Sequence, residues 1–79
     1  MKIVDTVFSG NIRMRLIERR GPAYDRMAAS GFYFDVKDER TPHFGFCYLD
    51  SDPEAAKIMF RNRVDTVVAR QKVIDHAGQ

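Results

Sequence analysis

Several kinds of residue are scarce in this 79-residue sequence, and each shortage excludes a class of protein. The chain has a single cysteine, Cys47, which rules out an internal disulfide framework and leaves packing or oligomerisation to hold a small fold together. No apolar run approaches the roughly 18–20 residues that a membrane-spanning helix requires. Only five glycines are present, and none belongs to a glycine-rich phosphate-binding loop behind a strand.

Charge of one sign is also nearly lacking. The 13 basic and 11 acidic side chains give a formal net charge of +2, which is too mild to indicate nucleic-acid binding by itself. The composition, 44% hydrophobic and 30% charged, is that of a folded protein, and the length predicts one domain, residues 1–79, with one small core. Asp5 interrupts the apolar stretch at the N-terminus, so we expect no signal peptide and a reducing, cytoplasmic location.

The first twenty residues predict a β-hairpin. Residues 2–8 are rich in β-branched and aromatic types, and Ser9-Gly10-Asn11 is typical of a turn. Beyond the turn, apolar residues alternate with polar ones over residues 12–18, interrupted only by Ile17, as in a half-buried strand. A helix capped by Asn11 is the alternative for residues 11–20.

A break at Arg20-Gly21-Pro22 follows the hairpin. Residues 23–30 are compatible with one or two helical turns, in which Tyr24 and Met27 face inward, and also with a plain loop. The sequence leaves the conformation of residues 21–30 open.

Two aromatic-rich runs then predict a second hairpin. They are residues 31–36 and 43–49, and a polar, proline-containing turn at residues 38–42 joins them. Strand alternation puts Phe32, Phe34 and Val36 on one face of the first run and Tyr33, Asp35 and Lys37 on the other. In the second run Phe44, Phe46 and Tyr48 share one face, and His43, Gly45, Cys47 and Leu49 share the other.

The start of a long C-terminal helix is the firmest local feature. Asp52 is a suitable N-cap, Pro53 fits the first helical position, and Ser51 with Glu54 offers an overlapping capping box. Apolar residues recur at helical spacing on one face: Ala56, Phe60, Val64, Val67, Val68 and Ile74. Charged residues mark the opposite face: Arg61, Asp65 and Lys72. We therefore predict one continuous helix from Pro53 to about Ile74.

Together these elements predict an α+β domain, in which an antiparallel sheet of about four strands, built from two hairpins, is packed by one long C-terminal helix. The chain has few other candidates for a core, so its hairpin aromatics are expected to pack beneath the helix: Phe32, Phe34, Phe44, Phe46 and Tyr48. We expect Phe46 and Phe60 to meet across the helix–sheet interface.

Catalysis has no positive support in the residue pattern. On a strand, His43 and Cys47 would lie about 13 Å apart, too far for joint metal ligation. Asp52 is explained as a helix cap, and His76 near the helix end is explained by the helix dipole. Cys47 is expected to be a small packed side chain rather than a nucleophile. We therefore predict a protein that is not an enzyme and needs no metal and no cofactor.

Two short segments resemble the signature motifs of the RNA recognition motif family. Residues 7–12 are similar to its shorter motif and residues 43–49 to its longer, aromatic one. The resemblance implies a single-stranded nucleic-acid-binding module in which Phe8, Phe44 and Phe46 stack on unpaired bases. Four residues depart from the family pattern: Ser9, Pro22, Pro42 and His43. The family also needs a final strand at about residues 71–76, where the apolar period predicts helix.

Arginines and one tyrosine are the candidate partner-binding residues. Arg13, Arg15, Arg19 and Arg20 lie in or next to the first hairpin, Arg63 and Arg70 lie two turns apart along the helix, and Tyr33 lies in the second hairpin. Arginine is enriched among the anchors of protein interfaces, so these side chains suit an acidic protein surface. Contact with phosphates is the alternative, and a solvated surface is the simplest interpretation.

The leading prediction from the sequence is a small protein-interaction module that blocks a surface on a larger protein or ribonucleoprotein complex, without a membrane. In size and hairpin–hairpin–helix layout the chain resembles the small inhibitors that phages and other mobile elements encode, anti-CRISPR proteins among them. That resemblance implies a host complex as the target. The alternative is the single-stranded nucleic-acid-binding module, and a homodimer is a third option. The near balance of charge predicts no strong generic binding of nucleic acid.

Overall fold

Four strands precede one helix in the computed structural model, which describes residues 1–20, 30–42 and 44–77, with side chains up to Lys72. The strands are β1 (Lys2–Ser9), β2 (Ile12–Arg19), β3 (Gly31–Asp38) and β4 (Phe44–Asp50), and the helix is α1 (Pro53–Ala77). All neighbouring strands pair antiparallel in the order β1-β2-β3-β4. The predicted α+β class is confirmed, and β2 is a strand rather than the alternative helix. The predictions for residues 21–29 lie outside the described residues.

The turn between β1 and β2 has the chemistry of a tight hairpin. Gly10 has a φ of 59°, while no described residue other than glycine has a positive φ, a combination that fits a type II′ turn with glycine first. The Ser9 hydroxyl donates a hydrogen bond of 2.9 Å to Oε1 of Gln71. The tip of the first hairpin is therefore tied to the C-terminal half of α1.

The helix begins as the sequence predicts. A carboxylate oxygen of Asp52 accepts a hydrogen bond from the backbone N–H of Ala55 at 3.0 Å, and its carbonyl accepts the first helical bond, from Ala56, at 2.9 Å. Asp52 is thus the N-cap, and α1 runs without interruption to Ala77. No helix within the described residues is long and apolar enough to cross a membrane.

The core lies between α1 and one face of the sheet. It consists of Met14, Leu16, Phe32, Phe34 and Leu49 from the strands and Ala56, Phe60 and Val64 from the helix. The rings of Phe34 and Phe60 pack with their centroids 6.0 Å apart. Val67 and Val68 pack against this cluster from farther along α1, and Arg61, Asp65 and Lys72 are exposed, so the predicted helix faces are confirmed over the described side chains.

The prediction is wrong for three of the five aromatic residues expected in the core. Phe32 and Phe34 are buried under α1, but Phe44, Phe46 and Tyr48 are 76%, 44% and 48% exposed on the other side of the sheet. The register explains the difference, because Phe34 pairs with Cys47 whereas Phe46 pairs with Asp35. The helix covers the face that carries Cys47 and Leu49, and Phe60 meets Phe34 instead of Phe46.

Both edge strands contain an irregularity in their pairing. In β1 the register shifts between Ile3 and Asp5, and in the pairing of β3 with β4 it shifts between Phe32 and Tyr33, opposite Leu49. Each shift has the character of a β-bulge, which bends the strand and increases its local twist.

Candidate functional site

The sheet face that points away from α1, here called the open face, carries an unusual set of side chains. Residues directly opposite each other in antiparallel strands share a face, so the register identifies the members of this one. They are Ile3, Thr6, Phe8, Arg13, Arg15, Ile17, Arg19, Tyr33, Asp35, Lys37, Phe44, Phe46 and Tyr48. Ile17 is only 1% exposed. The open face therefore combines five aromatic rings with five charged groups.

One row across the open face has an aromatic ring at each end and a cation at each inner position. Phe8 pairs with Arg13, Arg13 with Lys37, and Lys37 with Phe44. Three strand spacings separate the two ends, so their Cα atoms lie roughly 14 Å apart. Phe8 is 63% exposed and Phe44 is 76% exposed, so both rings present most of their surface to solvent. Lys37 between them is exposed as well.

The other three aromatic rings of the open face contact one another. Tyr33 and Phe46 stack with centroids 4.8 Å apart and planes within 9° of parallel. Tyr48 meets Tyr33 edge to face at 5.5 Å. Tyr33 itself is buried, so it supports its two neighbours. Tyr48 also lies over Gly31, where a Cβ atom would come within 2.6 Å of the tyrosine ring.

A buried carboxylate orders two of the cations. Nε of Arg15 donates a hydrogen bond of 2.7 Å to Oδ2 of Asp35, and an outer nitrogen of Arg13 lies 3.9 Å from the same oxygen. Nε of Arg13 is buried and has no hydrogen-bond partner among the described residues. Asp35 is the buried charged residue of the described chain, and two arginines beside it keep its charge compensated.

The open face as a whole is cationic. Arg13, Arg15, Arg19 and Lys37 face one carboxylate, that of Asp35, so the charged side chains of the described strands give this face a formal charge of +3. The whole chain carries +2, so the rest of the molecule is close to neutral.

The structure divides the predicted partner-binding residues among separate surfaces. Arg13 and Arg15 lie on the open face, and Arg19 lies at its end, opposite Gly31. Arg20 is largely exposed and 3.8 Å from Glu18, while Tyr33 is buried within the aromatic group. Arg63 and Arg70 are exposed on α1, on the other side of the sheet. The predicted partner-binding residues therefore do not form one continuous surface.

The predicted stacking residues, in contrast, share one face of the sheet. Phe8, Phe44 and Phe46 all lie on the open face and all are exposed. The layout is not that of the RNA recognition motif, because residues 71–76 are helical and the two motif-like segments lie on opposite edge strands. Tyr48, Lys37 and Asp35 were not predicted as members of the site, although strand alternation already grouped Tyr48 with Phe44 and Phe46.

Groups able to hold a metal ion do not cluster in the described part of the chain. Cys47 is half-buried and packs against the core from the helix side of the sheet. His43 and the side chain of His76 lie outside the described residues.

The turn after β3 contains an ion pair between Asp38 and Arg40. The Arg40 side chain donates hydrogen bonds to both carboxylate oxygens of Asp38, at 3.1 and 3.0 Å, and its backbone N–H donates another at 3.0 Å. The side-chain hydrogen bond is the largest cause, and the backbone bond the next, of a lowered pKa at Asp38.

Comparisons with known proteins identify no relative: no family model, no curated protein and no solved structure matches the chain.

Proposed function

We propose that the protein binds single-stranded nucleic acid on its open face, without catalysing a reaction. The observation that carries the proposal is the row in which the exposed rings of Phe8 and Phe44 flank the cations Arg13 and Lys37. In this arrangement unpaired bases stack on the aromatic rings, and the phosphates between them contact the cations.

The physical chemistry of the surface supports this ligand. Proteins that hold single strands without reading their sequence combine a positively charged surface with aromatic side chains, because every base offers a π-face and every nucleotide a phosphate. The formal charge of +3 on the open face complements a polyanion. The same charge opposes face-to-face pairing of two copies of the chain, so a nucleic acid is a better occupant than a homodimer partner.

The site of action proposed with this function is the cytoplasm. A lone free cysteine, Cys47, suits a reducing compartment, and single-stranded RNA and DNA are both present there as ligands.

A binding assay that compares a variant of the open face with a matched variant of α1 tests the proposal. Fluorescence anisotropy with labelled mixed-sequence DNA and RNA single strands, and with a DNA duplex of the same sequence, gives Kd over a series of salt concentrations. We expect the single strands to bind more tightly than the duplex, with a log–log salt slope of about −2 to −3 for three or four phosphate contacts. The open-face variant K37E/F44A should bind about tenfold more weakly or worse, because it loses a cation and a stacking ring.

The control variant is R63E/I58A, which makes the equivalent changes at exposed positions on α1. It should bind like the original protein. Equal loss of affinity in both double variants, or no binding of any single strand at low salt, would refute nucleic-acid binding by the open face.

A second candidate function, the protein-interaction module, is supported by the composition of the same face. Aromatic residues and arginine are the types enriched at the centres of protein interfaces, and Asp35 already compensates part of the arginine charge. In this proposal the partner is an acidic surface on a larger host complex, and the protein acts as an inhibitor of the kind that phages or other mobile elements encode. Failure of single-strand binding, together with a partner protein that binds the original chain and R63E/I58A but not K37E/F44A, would favour this function.

A further inference from the structure

The stacked pair Tyr33 and Phe46 stands at the edge of the sheet. β4 is an edge strand, so none of the strands in the described residues lies beyond Phe46. Tyr33 covers one face of the Phe46 ring at a centroid distance of 4.8 Å and is itself only 8% exposed. Phe46 nevertheless remains 44% exposed, so its open surface belongs to the ring face and edge turned away from Tyr33.

We infer that Phe46 is the primary base-stacking position, where one nucleobase of a single strand becomes the third ring of a stack begun by Tyr33 and Phe46. The inference rests on the proposed function and deepens it, since it names the ring that holds the first base. Parallel, offset rings are a favoured arrangement for aromatic groups, and a third planar ring extends it without moving the first two.

Tyr33 acts in this site as a positioning residue. It does not meet the ligand, but it holds the Phe46 ring parallel to itself, and the edge contact of Tyr48 at 5.5 Å braces Tyr33 in turn. Gly31 leaves the space that the Tyr48 ring occupies. A ring that is already ordered loses little conformational freedom when the base arrives, and this increases affinity.

The nearby cation Lys37 favours a nucleotide over an uncharged aromatic ligand as the source of the third ring. Phe46 pairs with Asp35 and Phe44 with Lys37, so Lys37 is the diagonal neighbour of Phe46, about 7–8 Å away between Cα atoms. The exposed ammonium group of Lys37 therefore lies within reach of a phosphate attached to the stacked nucleotide.

The test replaces the Phe46 ring and reads out both affinity and stacking. F46L keeps an apolar side chain but removes the ring, and it should weaken the binding of a labelled ten-nucleotide mixed single strand roughly tenfold, without changing the salt slope. F46W keeps an aromatic ring at this position and should bind about as tightly as the original protein. The chain contains no tryptophan, so this variant also carries a unique fluorophore, which we expect a stacked base to quench.

Two further variants separate positioning and local contact from general effects. Y33L should weaken binding while Y33F, which preserves the ring stack, should not. A tryptophan placed on the helix by I58W should show no quenching, because Ile58 is exposed on the opposite side of the molecule.

The inference fails independently of the proposed function if F46L binds like the original protein while K37E/F44A still loses affinity, because the open face would then bind single strands without a base on Phe46. It also fails if F46W fluorescence is unchanged at saturating oligonucleotide. Absence of single-strand binding by the original protein would overturn the proposed function and this inference together.

Discussion

The two faces of the sheet are both rich in aromatic and apolar side chains, yet only one of them packs against α1. On the helix side, Met14, Leu16 and Phe34 are at most 5% exposed. On the open face, Phe8 and Phe44 on the edge strands are more than 60% exposed, although Ile17 and Tyr33 on the inner strands are only 1% and 8% exposed. The faces differ in what stands between the apolar groups. Charged side chains interrupt the open face at Arg13, Arg15 and Lys37, and a helix cannot cover such a face without burying those charges. Charge placement, rather than aromatic content, therefore decides which face α1 covers.

The sharpest test of this comparison removes one aromatic ring from each side. F60A should lower the free energy of unfolding by about 3–5 kcal/mol, because it leaves a cavity against Phe34 in the middle of the core. F44A should change it by only about 0.5 kcal/mol, as is usual for a surface substitution. Urea unfolding followed by far-ultraviolet circular dichroism measures both values.

If F60A leaves too little folded protein to analyse, V64A provides a smaller cavity on the same buried face. A loss of stability in F44A as large as that in V64A would mean that the open face is part of the core, and the comparison would not hold.

An intermediate effect on stability is expected at Gly31, which leaves space for the Tyr48 ring on the open face. Its φ of 150° is unfavourable for other residues, and a Cβ atom there would lie 2.6 Å from the Tyr48 ring and 3.2 Å from the carbonyl oxygen of Asp50. G31A should therefore cost about 1–3 kcal/mol of unfolding free energy. The Y48A background serves as the control, since it relieves the ring contact while the backbone strain stays. An additive double mutant would contradict the contact between Tyr48 and Gly31.

The smallest effect concerns the ion pair between Asp38 and Arg40 in the turn after β3. Arg40 lowers the pKa of Asp38, so this pair stabilises the fold above the ordinary pKa of an aspartate, and the contribution is lost as the pH falls through the lowered value. R40Q should raise the pKa of Asp38 towards its ordinary value and remove this part of the acid dependence. Carboxyl titration by NMR measures the change, with R61Q on α1 as the matched control. An Asp38 pKa that is the same in R40Q and the original protein would contradict the assigned cause.

Local patterns predicted the elements of this fold well because their signals lie within a few residues of one another. The alternation after Asn11 specified β2, and Asp52 with Pro53 specified the start of α1. The side of the sheet that α1 covers was not predictable in the same way. Both faces of β4 are apolar, and the sequence predicts that the larger set, Phe44, Phe46 and Tyr48, is buried under the helix instead of Cys47 and Leu49. Three-dimensional register and the charges on β2 and β3 decide that question, and they are not visible in β4 alone.

Some residues of the candidate site were predictable one by one, but the surface they form was not. The motif resemblance selected Phe8, Phe44 and Phe46, which do share the open face, although the family layout that suggested them is absent from the described residues. The arginines were selected by type alone, and type carries no information about the layer in which a side chain lies. Arg63 and Arg70 therefore ended on the helix, away from Arg13 and Arg15.

The irregular pairing in the two edge strands has a consequence for how copies of the chain behave at high concentration. An edge strand offers unpaired backbone donors and acceptors, and a flat, regular, aromatic edge is a template for endless sheet growth into fibrils. The register shifts between Ile3 and Asp5 in β1 and at Leu49 in β4. Each shift interrupts the regular ladder of hydrogen bonds that a second copy would have to match. The chain can therefore expose Phe44, Phe46 and Tyr48 along one edge while its backbone discourages the strand-by-strand addition that leads to amyloid.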